Sequence, residues 1–203
     1  LCPGYLGGSL AQKADLRGQG RRIRLFLLVA VAGGIAGGIL LLFLDDEVFR
    51  ILVPFLILFA SLLLAVQGRV RDWISRLPVQ HRPGDDGTGR AALPVGLAAV
   101  YGGYFGAGQS VIILSVLGLF VDDTVTRLNA LKQCITLASN VAAAVFFLFS
   151  GMVVWPVAAV MAAGALAGGA AGGRFASRID PDALRWTVVA FGIVVGVLFL
   201  VRL

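Results

Sequence analysis

The sequence predicts an all-α protein: a polytopic bundle of transmembrane helices with a two-fold internal repeat and one broken helix. Three observations lead there. The 203-residue chain is 59% hydrophobic and 14% charged, with a mean hydropathy of +0.93, whereas a soluble domain carries about 25% charged residues. Its apolar stretches run for about 20 residues without alternation, which suits spanning helices and not barrel strands. One of these stretches, residues 93–121, is interrupted by Gly102, Gly103, Gly106 and Gly108. Each of these costs a helix about 1 kcal/mol relative to alanine.

Taken in order, residues 1–12 read as the end of a membrane helix, with no signal-peptide layout. A basic loop over 13–24 holds Lys13, Arg17, Arg21, Arg22 and Arg24 against Asp15, and the positive-inside rule places it in the cytoplasm. A span over about 23–44 carries Gly33-Gly34-Ile35-Ala36-Gly37-Gly38. Small residues four apart let another helix approach closely. The acidic turn Asp45-Asp46-Glu47 lies outside, and a span over about 48–66 follows, with Pro54 in its first turns. Residues 67–92 form a flexible basic linker with Arg69, Arg71, Arg76, Arg82 and Arg90. The broken segment occupies 93–120. Further spans run over about 128–150, 157–173 and 186–203. Trp155 and Trp186 are expected at the membrane interfaces, and the glycines between Gly164 and Gly173 to serve helix packing.

The +6 net charge sits in loops beside apolar spans, so it requires no nucleic-acid partner. Cys2 and Cys134 fall in apolar segments and His81 in the linker. None of these forms a disulfide framework or a metal-ligand cluster, and no cofactor is expected.

Residues 28–66 align with about 159–199: each copy has a Gly-rich span, a charged turn, then Arg50 or Arg185 and an apolar span. The organisation expected is a first repeat over 1–67, a basic cytoplasmic linker over 68–92 and a second repeat over 93–203. Only the second copy is preceded by a broken segment. The simplest account is that the first copy lacks an N-terminal unit of about 45 to 50 residues. Both a crossing and a re-entrant course are open to the broken segment. The re-entrant course keeps 174–185 inside and obeys the charge rule better, with the two halves inverted.

Several ordered stretches resemble the sulfite exporter TauE/SafE family of probable membrane transporters. They are Pro3-Gly4-Tyr5-Leu6-Gly7-Gly8-Ser9, Val53-Pro54-Phe55-Leu56-Ile57-Leu58, Gly102-Gly103-Tyr104-Phe105-Gly106-Ala107-Gly108, Asn129-Ala130-Leu131-Lys132, residues 146–151 with Trp155, residues 164–169, and Arg185-Trp186. Together they cover almost the whole chain. The family pattern begins with another Gly-rich broken segment, absent here, and often has a further glycine where this chain has Gln109. The resemblance implies transport of small sulfur-containing or other organic anions across the cytoplasmic membrane, through a multi-pass protein.

A broken membrane helix must satisfy its freed backbone within protein or in a wet cavity. Its half-helix N-terminus carries partial positive charge. Gly106, Gly108, Gln109 and Ser110 are therefore expected to offer donors to an oxyanion, and Lys132 to supply charge. Lys132 has the alternative of lying near a helix end and snorkelling to the headgroups. Asn129 would bond the anion, brace the broken backbone or cap its helix. Asn140 is expected to bond another helix. All acidic residues fall in expected loops or turns, which argues against a membrane-embedded enzyme. No nucleotide-binding motif is present, so transport would be secondary. The alternative is a non-transporting structural or assembly subunit. The expected partners are a small anion and the lipid bilayer, and a homo-oligomer is compatible with the sequence.

Overall fold

The computed structural model describes residues 15–16, 18–76, 87–151, 153–176 and 180–201. Cys2, the motif at residues 3–9 and His81 lie outside these residues. Among the described residues every regular element is a helix: α1 (Gly20–Phe43), α2 (Asp46–Arg76), α3 (Thr88–Tyr104), α4 (Gln109–Phe120), α5 (Val125–Phe149), α6 (Trp155–Ala176) and α7 (Pro181–Val201). Among the described residues four segments, Gly20–Phe43, Glu47–Arg76, Val125–Phe149 and Asp182–Val201, are long and apolar enough to cross a membrane.

Two boundaries differ from the sequence reading. The expected linker is helical at both ends, because α2 continues to Arg76 and α3 begins at Thr88. Polar residues end an apolar span without ending a helix, and Ile74 is buried on this extension while its neighbours face outward. Likewise α5 begins at Val125, with the Thr124 hydroxyl accepting a hydrogen bond from the Arg127 N–H at 3.5 Å. Thr124 is therefore the cap, and Asn129 lies inside the helix.

The glycines of α1 divide between two neighbours. A Cβ at Gly33 would stand 2.6 Å from that of Ala99, and one at Gly37 would fall on the Val100 carbonyl, both on α3. A Cβ at Gly34 would fall on the Ser139 carbonyl, and one at Gly38 would come within 2.8 Å of the Phe146 ring, both on α5. Two interleaved Gly-x-x-x-Gly pairs thus seat α1 against two helices at once. The core beneath is built from Phe26, Ala30, Val95, Ala99, Ile113, Leu117, Leu131 and Ile135.

Helix α7 runs antiparallel to α2. Gly192 lies against Ser61 and Gly196 against Leu58, while Arg185 reaches the α2 backbone at Gly68. Helix α6 differs: no atom lies within 4 Å of where a Cβ would stand at Gly164 or Gly168. These two glycines, expected to serve packing, meet no neighbour among the described residues. Small residues permit close approach but do not specify what approaches.

Several helix ends meet at one end of the bundle. The Phe120 carbonyl abuts Gly87, so the start of α3 lies beside the end of α4. Arg22 at the start of α1 pairs with Asp123 at 2.9 Å. Ile74, near the end of α2, packs on Gly118.

Candidate functional site

Between α3 and α4 the chain leaves the helix over residues 105–108. Gly106 and Gly108 take positive φ values of 80° and 76°, a region that side-chain-bearing residues avoid. The N–H groups of Phe105 and Gly106 both donate to the Tyr101 carbonyl, at 2.9 and 3.2 Å. The Tyr101 hydroxyl donates to the Ala107 carbonyl at 2.7 Å and holds the turn. The N–H groups of Ala107, Gly108 and Ser110 donate to no backbone carbonyl among the described residues. Such open donors, at the positive end of a 12-residue helix, suit an anion.

Gln109 braces this turn. Gly102 leaves the room that its side chain occupies, and only 1% of Gln109 is exposed. Its Nε2 donates to Ser139 Oγ at 3.1 Å, and Ser139 Oγ donates to the Ala99 carbonyl at 3.2 Å. Asn140 Nδ2 donates to Gln109 Oε1 at 3.3 Å and to the Thr136 carbonyl at 2.7 Å. A buried amide in hydrocarbon needs such partners. The network ties the start of α4 to α3 and α5.

On the opposite side the turn borders a central cavity of about 370 Å³. Helix α2 contributes Ser61, Leu64 and Gln67, the turn contributes Phe105, Ala107 and Gly108, and α4 contributes Ser110. Phe191 and Gly192 of α7 line its remaining side. Its walls are mostly apolar, with the open backbone donors on residues that line it.

A second cavity, of about 190 Å³, lies toward the basic end of the bundle. Gln67 and Arg71 line it from α2, and Thr126, Asn129 and Lys132 from α5. Each set recurs every three or four residues, so each shares one helix face. Gln67 lines both cavities.

A third, polar cavity of about 350 Å³ lies among Arg21, Arg22, Asp122, Asp123 and Arg127. Here a carboxylate faces the cations: Asp123 pairs with Arg22 at 2.9 Å and with Arg127 at 3.2 Å. It fastens the start of α1 to the α4–α5 turn.

The six residues singled out in the sequence are thus separated. Gly108 and Ser110 line the central cavity, and Asn129 and Lys132 line the second. Gly106 shapes the turn without lining either cavity, and Gln109 faces the packed side. Sequence reasoning missed Ser61, Gln67 and Arg71. The Gln67/Arg71 pair carried a usable signal, since it stands four residues apart just past an apolar span. No group of three or more His, Cys, Asp or Glu that could hold a metal occurs among the described residues.

The chain matches the family described as Sulfite exporter TauE/SafE over residues 1–199. Comparison with the curated proteins and with the solved structures finds no match.

Proposed function

The chain belongs to the sulfite exporter TauE/SafE family, and from that premise we propose that it is a secondary transporter of small anions. Sulfite, organosulfonates and related sulfur-containing or organic anions are the substrate class. The observation that carries this reading is the interrupted helix. Three backbone N–H groups without a backbone acceptor belong to residues that line a cavity between α2 and α7. Backbone of this kind at membrane depth is tolerated where it lines a cavity, and the start of a half-helix favours negative charge.

The hairpin of α3 and α4 enters and leaves on the cytoplasmic face. Two contacts support this: Gly87 abuts the Phe120 carbonyl, and Asp123 pairs with Arg22 beside the basic start of α1. The antiparallel packing of α2 on α7 supports the inverted repeat. Helices exchanged by a two-fold axis in the membrane plane run in opposite directions.

Flux of radiolabelled sulfite and a panel of small sulfonates into proteoliposomes tests the proposal. Saturable uptake, mutually competed by these anions, is expected. Absence of flux for every anion in the panel, from folded and correctly inserted protein, would remove the transport reading.

A further inference from the structure

We propose that the second cavity is a binding station for small, doubly charged oxyanions, with Arg71 and Lys132 as its paired cations. Its place on a transport route rests on the reading above. Its ligand chemistry does not.

Two helix faces converge on this space, Gln67 and Arg71 from α2 and Thr126, Asn129 and Lys132 from α5. The remaining lining residues, Leu114 and Val125, are apolar. Among the described residues no carboxylate lines it. Among the described residues, neither Arg71 nor Lys132 joins an ion pair, whereas Arg22, Arg127 and Arg185 each do. The contrast with the third cavity is direct, since Asp123 there pairs with both Arg22 and Arg127. Two cations that share a cavity without a counter-ion repel, and a ligand with two negative charges relieves both.

The side chains present fit such a ligand. A guanidinium offers a planar fork that two oxygens of one anion can accept together. An ammonium offers a compact charge to a third oxygen. The Thr126 hydroxyl and the Gln67 amide can donate to what remains. The volume of about 190 Å³ holds roughly six water molecules at about 30 Å³ each. That is space for a tetrahedral or pyramidal oxyanion with part of its hydration. A monovalent anion of the same shape leaves one cation uncompensated, so the site discriminates by charge. Because Gln67 lines both cavities, an anion released here stands next to the central cavity.

Equilibrium binding of labelled sulfate and of labelled methanesulfonate to the purified chain in nanodiscs tests this. Sulfate keeps two charges across neutral pH, and methanesulfonate carries one on a similar frame. Sulfate is expected to bind more tightly, and Arg71→Gln and Lys132→Gln are each expected to weaken it about tenfold or more. Methanesulfonate binding should fall less. Arg71→Lys, which keeps charge and loses the fork, should lie between. Thermal unfolding of each variant establishes that it is folded. Unchanged sulfate binding in both folded Gln variants overturns the station whatever the flux, and equal weakening of the two anions overturns the charge selection. Loss of flux in the parent chain with charge-selective binding intact would sink the transport reading alone.

Discussion

The α3–α4 hairpin has two sides, built oppositely. Toward α1 and α5 it is closed. Glycines there bring backbone onto backbone at Gly33, Gly34, Gly37 and Gly103, and Gln109, Ser139 and Asn140 form a buried network. Toward α2 and α7 it is open, with the turn residues bordering the central cavity. A helix interrupted in apolar surroundings lacks its own hydrogen-bond ladder there, so something else must hold it. The closed side does so, which leaves donors on the other side available to a ligand. A site is as well defined as the shell that supports it.

The largest test of this contrast is Gly37→Val. Its Cβ would fall on the Val100 carbonyl and within 2.7 Å of the Tyr104 N, and neither backbone can move without opening the α1–α3 seam. A loss above about 3 kcal/mol is expected, read as failure to recover monodisperse protein in detergent. Wild-type recovery would mean that the seam is not the rigid support. Next is Gln109→Leu, which leaves Ser139 and Asn140 each short of a partner. A loss of about 1–3 kcal/mol is expected in thermal or denaturant unfolding. An unchanged midpoint would place the brace elsewhere.

Gly108→Ala sharpens the open side. The residue has φ of 76° and its Cβ would lie 3.1 Å from the Leu63 side chain. The left-handed backbone should cost about 1–2 kcal/mol, and anion flux should fall further than stability does. Flux that merely tracks folded protein would show that the turn takes no part in transport. The smallest effect is expected at Gly168→Ala on α6, where a Cβ meets nothing within 4 Å. Replacing a helical glycine there should stabilise by up to about 1 kcal/mol. Destabilisation would reveal a neighbour for this face.

Much of the helical framework was legible because a bilayer imposes it. Runs of apolar residues near 20 long announce spans, and clustered arginines announce which ends lie together. The glycines marked the region without saying which of them leave the helix: Gly106 and Gly108 take the positive-φ turn between α3 and α4, whereas Gly102 and Gly103 lie inside α3 and pack. What each polar residue faces was not legible. Gln109 and Ser110 are adjacent in sequence, yet one helical step of 100° turns one into the packed network and the other toward the cavity. Lys132 and Asn129 read as partners of the glycine turn, and they lie instead with Arg71, a residue from the other side of the linker. Gly33 and Gly164 sit in similar motifs, and among the described residues only the first meets another helix.

The sequence by itself determined a helical membrane protein and which ends are basic. These follow from composition and local propensity, which act over a few residues or one membrane thickness. Only the tertiary structure decided that the interruption is braced on one side and open on the other, and that two cations from distant segments share one cavity. Those outcomes depend on which helix faces meet. Contacts between residues far apart in the chain set that choice, and no local pattern encodes it.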